Sequence, residues 1–182
     1  MLQETAKEAS KDDKMKERYL YIRLSDDTLH QSMERYHYQD QPKLYKEVYK
    51  DLIHGIRPFL LYEYDYFDRN NSLFIVSLGK GPDTLLEAYE ETGAFSKALA
   101  LEGLCLDLLS ECYRQIAEIV LRERKIPLSR LEFADTIEAE EYLKKLPSKS
   151  VLFHGISGSG SCKKLIHDCE NCSFRDCIFR KK

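Results

Sequence analysis

FSKALALEGLCLDLLSECYRQIAEIVLRER, from Phe95 to Arg124, is the longest strongly apolar periodic run in the chain, and its reading decides the fold. Leu101, Leu104, Cys105, Leu108, Cys112, Ile116, Ile119 and Val120 recur at steps of three and four, which marks one face of a helix. Leu106 and Leu109 widen that face, so the helix is expected to be buried on more than one side. Gly103 sits inside the run, where glycine costs about 1 kcal/mol relative to alanine. Close approach of another backbone is the expected reason, since glycine carries no side chain to hold it off. The run therefore predicts a long central helix on which the other elements pack.

Immediately upstream, Asp83 to Thr92 reads as a short helix with Leu85, Leu86 and Tyr89 inward, Pro82 in its first turn and Gly93 as its C-cap. Gly79-Lys80-Gly81 joins it to LFIVSL (Leu73 to Leu78), a β-branched run read as a strand. FLLYEYDYF (Phe59 to Phe67) alternates, with Leu60, Tyr62, Tyr64 and Tyr66 on one side and Glu63 and Asp65 on the other. The turn residues Asp68 to Ser72 between these runs predict an antiparallel hairpin. Gln41-Pro42 opens a helix with two stripes, Leu44/Val48/Leu52 and Tyr45/Tyr49/Ile53, stopped by Gly55 and Pro58. Ser25-Asp26-Asp27 signals the start of a weaker helix over Thr28 to Tyr38, and RYLYIRL (Arg18 to Leu24) reads as a short strand or a helical turn. Downstream, Lys125-Ile126-Pro127 is a breaker, Ala139 to Lys145 a helix, and KSVLFHGI (Lys149 to Ile156) a third apolar strand. The organisation expected is a polar tail over 1–17, a domain over 18–156 and a Cys-rich tail over 157–182. The fold class is α+β: a twisted, mostly antiparallel sheet packed on a long central helix and flanking helices.

Composition narrows the function classes. The 182 residues are 43% hydrophobic, enough for a core, and the net charge of −3 carries no nucleic-acid footprint. No uncharged apolar run reaches the ~18 residues of a membrane span. The first residues, MLQETAKEASKDDKMKER, have no apolar signal core, which places the chain in the cytoplasm, where thiols stay reduced. The six cysteines then read as ligands, catalysts or small buried residues rather than disulfides.

The sharpest chemical signal is SCKKLIHDCENCSFRDCIFRKK at the C-terminus, in which Cys162, Cys169, Cys172 and Cys177 follow the spacing C-x6-C-x2-C-x4-C. A C-x2-C pair brings two thiolates to one metal, and four thiolates suit tetrahedral zinc or an iron–sulfur cluster. The spacing is neither the standard zinc pattern nor the common ferredoxin one, so both remain open; Lys163, Lys164, Arg175, Arg180, Lys181 and Lys182 offset the charge, and His167 is a substitute ligand. Gly155, Gly158 and Gly160 precede Lys163 but fail the phosphate-loop spacing, because Ser161 stands where Lys is required; they read as a hinge to the tail. Gly79-x-Gly81 reads as a tight turn or as amides contacting a ligand, and it lacks the third glycine of the dinucleotide fingerprint. Cys105 and Cys112 share the core face of the central helix, and His54 and His154 read as structural. No Ser–His–Asp or Cys–His set stands out, so the catalytic residues are unknown.

Two segments resemble the activation-domain family of cobalamin-dependent methionine synthase: Phe74-Ile75-Val76-Ser77-Leu78-Gly79, and Gly93-Ala94-Phe95-Ser96-Lys97-Ala98-Leu99-Ala100-Leu101-Glu102-Gly103. Lys149-Ser150-Val151 through Gly155 is similar to that family's last strand, and Cys169, Cys172 and Cys177 followed by Arg180 to the tail of its stand-alone bacterial members. The resemblance covers roughly 58–180. It implies a twisted antiparallel sheet with helices packed on it, a partner that carries cobalamin (a corrinoid protein or methyltransferase), and, in the full enzymes, S-adenosylmethionine binding during reductive reactivation of cobalt. The family's S-adenosylmethionine segment has an Arg leading into Gly-Tyr. Here KIPLSRLEFADTIEAEEYLKKLPSKS offers Arg130 but no Gly-Tyr and no Trp, so no residue for that ligand is carried over.

The expectation is an accessory protein of a corrinoid methyltransferase system, docking on a cobalamin-carrying partner, with an electron-transferring centre on Cys162, Cys169, Cys172 and Cys177. The alternatives are a non-catalytic interaction module whose tail binds structural zinc, and a small enzyme with an acidic Cys nucleophile.

Overall fold

The computed structural model describes residues 15–68, 71–125, 128–133, 141, 144 and 154–161. In chain order these form β1 (Lys16–Tyr19), α1 (Asp26–Arg35), α2 (Pro42–Gly55), β2 (Phe59–Asp68), β3 (Asn71–Ser77), α3 (Gly81–Glu91), α4 (Phe95–Arg124), β4 (Leu128–Phe133) and β5 (His154–Ser161). The five strands make one sheet in the order β1-β2-β3-β5-β4, and every neighbouring pair is antiparallel. The fold is α+β, with the 30-residue α4 packed against the sheet.

The apolar period of α4 determines what is buried. Leu101, Leu104, Cys105, Leu108, Cys112, Ile116, Ile119 and Val120 are all buried, joined by Leu109. They meet Leu60, Tyr62, Phe74 and Val76 from one face of the sheet, together with residues of α1, α2 and α3. Leu106 does not widen that face: it is 54% exposed. Nor does Gly103 admit another backbone, because the space a Cβ would take there, 2.7 Å from Cδ2, belongs to the ring of Tyr36. An aromatic side chain, not a main chain, is what requires glycine at this point.

The short helices follow their local signals. Ser25 caps α1, its Oγ accepting from the Thr28 amide at 3.1 Å, with Asp26 and Asp27 in the first turn. The helix closes where His37 turns left-handed at φ 63° and the Tyr38 amide donates to the Met33 carbonyl. In α2 both stripes pack on the core, Tyr45, Val48 and Leu52 fully and Leu44, Tyr49 and Ile53 in part. In α3, Pro82 lies in the first turn and Gly93 ends the helix at φ 69°, its amide bonded to the Glu90 carbonyl. Where α2 ends and α3 begins, two glycines touch: a Cβ on Gly81 would sit 2.2 Å from the Gly55 carbonyl oxygen.

The sheet departs from expectation in four places. Tyr66 leaves the face of Tyr62 and Tyr64, because Asp65 adopts φ 58° and the register breaks between Glu63 and Asp68. Tyr66 packs instead beside Phe59, Leu61, Leu73 and Ile75, the cluster on the opposite face. Leu128–Phe133, where only a chain breaker was expected, is an added strand; its charged residues Arg130 and Glu132 hide the alternation. The run Gly155 to Gly160 is not a hinge. It lies in β5, hydrogen-bonded to β3 on one side and β4 on the other, so the sheet continues past 156 to Ser161. Glycine is rare in strands, which is why composition misleads here. Likewise Lys16 and Glu17, assigned to the polar tail, already pair with β2. Of the expected strand Lys149 to Ile156 only the part from His154 lies within the described residues. Of the expected helix Ala139 to Lys145, only Glu141 and Lys144 are described, and both are helical.

Two glycines separate packing from backbone conformation. Gly81→Ala forces apart two backbones and is expected to lower stability by ~3 kcal/mol. Gly93→Ala, with nothing within 4 Å of the new Cβ, pays only the left-handed conformation, about 1 kcal/mol. Urea denaturation of the two variants against the parent reads the difference, and equal losses refute the close-contact assignment.

Candidate functional site

Cys162, Cys169, Cys172 and Cys177, with His167, lie outside the described residues. The two cysteines that are described, Cys105 and Cys112, are sealed in the core as small apolar groups. Burial pushes both thiols far up from their ordinary value, and nearby carboxylates (Asp83 and Glu102 for Cys105, Glu111 for Cys112) push the same way. Neither is a thiolate nucleophile. Among the described residues no group of three or more His, Cys, Asp or Glu is placed to hold a metal ion.

The Gly79-x-Gly81 loop is used for packing. Gly79 takes φ 83° against the main chain of Arg57, and its amide donates to Ser77 Oγ at 3.2 Å. Arg57 in turn donates its amide to the Leu78 carbonyl at 2.9 Å. With Gly81 pressed on Gly55, the loop is a close-packed turn. His54 Nδ1 lies 2.6 Å from the Lys50 carbonyl within its own helix. Arg130 stands in β4, opposite Gly160.

Two constellations emerge that sequence spacing did not reveal, because each draws on residues far apart in the chain. The first surrounds Glu123 in the last turn of α4. Arg18 donates to its Oε1 at 2.9 Å, Tyr62 at 3.0 Å and Tyr64 to Oε2 at 3.1 Å, while Lys16 lies 3.5 Å away. Partial burial alone raises the Glu123 pKa, but the two phenol hydrogen bonds and the two cations outweigh it and hold the carboxyl below its ordinary value. The phenol of Tyr64 moves up, first by burial and then by the facing carboxylate. Beside it, Arg124 makes a bidentate pair with Asp65 at 2.9 and 3.1 Å and lies 5.1 Å from the centre of the Tyr64 ring. A carboxylate with its acceptors filled and phenols that stay protonated offer no acid–base chemistry at neutral pH. The cluster clamps the end of α4 to β1 and β2.

The second constellation is a cleft of about 440 Å³ at the other end of α4, between that helix and the α1–α2 connection. Tyr36, Tyr38, Gln41, Leu99, Glu102 and Leu106 line it, over Gly103. On this stretch of α4, Phe95, Leu99 and Leu106 are 67%, 62% and 54% exposed. Beneath Tyr36, the buried Asp107 accepts from Arg35 through Oδ1. Its Oδ2 is buried without a hydrogen-bond partner. The signal that locates the cleft is the misfit of Phe95, Leu99 and Leu106 with the buried face.

No helix among the described residues is long and apolar enough to cross a membrane. The sequence matches no protein-family model, and no curated protein matches it either.

Two outcomes test these assignments. Cys105 and Cys112 are expected to resist a thiol reagent in the native protein and to react on unfolding, followed by mass mapping. Glu123→Gln is expected to cost on the order of 2 kcal/mol at neutral pH. Because the folded pKa lies below the ordinary 4.5, that contribution is full above the ordinary value and fades as pH falls through the folded one. Denaturation of parent and variant across the acid range should therefore show their difference closing at low pH; a gap that widens there refutes the clamp.

Proposed function

We propose that the chain is an accessory protein of a corrinoid-dependent methyltransferase system, docking on a cobalamin-carrying partner and supporting its reductive reactivation. The observation that carries this reading is the C-x6-C-x2-C-x4-C set. With Cys105 and Cys112 buried in the core, thiolate chemistry falls to Cys162, Cys169, Cys172 and Cys177. Four thiolates fit an iron–sulfur cluster, which when bound supplies one-electron transfer at low potential, the chemistry that reduction of oxidised cobalt needs. The described chain reaches Ser161, immediately before Cys162, where β5 pairs with Leu128 just beyond the end of α4. The cysteine segment therefore follows directly on a strand paired on both sides.

The resemblance to the methionine synthase activation domain rests on sequence alone. In the fold, the strand ending Leu78-Gly79 closes on a glycine with positive φ, and Gly103 lies against the ring of Tyr36. Arg130 alone does not make an S-adenosylmethionine site, and that ligand is not part of the proposal.

Anaerobic purification followed by metal analysis and absorption spectra before and after dithionite tests the reading. Iron with sulfide and a visible band that bleaches on reduction is the expected outcome, lost in Cys172→Ser. One zinc and no colour points instead to a structural tail on an interaction module, and metal content unchanged in Cys172→Ser removes the ligand assignment.

A further inference from the structure

The exposed side of α4 beside the cleft carries a stripe of large apolar residues. Phe95, Leu99, Glu102 and Leu106 follow one another at steps of four, three and four, so they project from one side of the helix over about 16 Å, three turns. Three of the four are large apolar side chains more than half exposed. The fourth, Glu102, is the only carboxylate lining the adjoining cleft and has no ion-pair partner among the described residues. The buried Asp107 nearby is ion-paired with Arg35 and adds no free charge to this face. The face thus combines apolar anchors with one carboxylate, Glu102, near its centre.

We propose that this face receives an amphipathic helix of another protein, about three turns long, whose apolar side chains cover Phe95, Leu99 and Leu106 around a central Arg or Lys paired with Glu102. Apolar anchors at helical spacing lying in a groove are a recurring mode of peptide recognition. Charge selects the occupant. A second copy of the chain, laid antiparallel about a two-fold axis between Leu99 and Glu102, brings the two Glu102 carboxylates to the same flank, where they repel. A cation supplied by a different chain satisfies the same carboxylate. The inference rests on the reading of the chain as a docking module and does not depend on which metal, if any, the cysteines hold.

The test uses the full chain and two synthetic three-turn helical peptides of Leu and Ala, one with a central Arg and one with a central Glu in its place, followed by fluorescence anisotropy. The Arg peptide is expected to bind at least tenfold more tightly than the Glu peptide. Leu99→Asp should abolish binding, Glu102→Arg should reverse the preference, and Leu121→Asp, on an exposed part of α4 outside the groove, should change nothing. Equal affinity for the two peptides, or binding that survives Leu99→Asp, overturns the proposal. So does a dimer in sedimentation that Leu99→Asp dissociates, since that makes the occupant a second copy. Loss of the cysteine-bound metal with peptide selectivity intact would count against the redox reading alone.

Discussion

Burial of one face of α4 is the constraint on which the other elements depend. Its aliphatic and thiol side chains form a ridge that no single partner can cover. One sheet face, α2, α3 and α1 each take a share of it. Burial of each large apolar side chain is worth roughly 1.5–3 kcal/mol, so the helix holds the layers together more firmly than any polar contact described. The polar contacts set orientation instead. Glu123 fixes the C-terminal end to β1 and β2, and Tyr38, donating to the Ser96 carbonyl at 2.7 Å, fixes the N-terminal end to the loop after α1.

The two ends of that helix are chemically unlike. At the C-terminal end Glu123 and Asp65 are met by Arg18, Lys16 and Arg124, and Tyr62 and Tyr64 meet edge to face, with Lys16 and Arg124 over the Tyr64 ring. At the N-terminal end apolar surface is exposed next to Glu102, which has no ion-pair partner among the described residues. That difference is why we place the proposed recognition at the cleft, whereas the Glu123 cluster fastens α4 to β1 and β2.

Much of this was legible in the sequence because it follows local rules. The 3.6-residue period marked α4, Pro42 and Pro82 opened two helices, Ser25 capped a third, and Gly93 and the apolar run before Gly79 marked turns correctly. What escaped notice depends on tertiary partners. Leu106 belongs to the periodic run by hydropathy but points away from the core. Tyr66 was displaced by a single left-handed residue, Asp65, which no alternation pattern reveals. Gly103 was identified as a contact, although its partner is a ring from α1's end, about seventy residues earlier in sequence and hence beyond any window of periodicity. β4 and the Gly-Ser strand β5 have weak intrinsic signals and exist because each finds a neighbour to pair with. The groove on α4 was visible only as an anomaly once the buried face was known.

The position of β5 affects how the chain must be made. It lies between β3 and β4, so β3 emerges from synthesis with one edge unpaired, and the chain must complete α3, all of α4 and β4 before the strand that seals it appears. An apolar strand with an open edge is an invitation to pair with a neighbouring nascent chain. The early hairpin partner β2 protects the other edge, and the long helix can cover one face, but neither can cap that ladder. Until Ser161 has left the ribosome the sheet is unfinished, and a chain truncated before β5 is a candidate for aggregation rather than a smaller working domain.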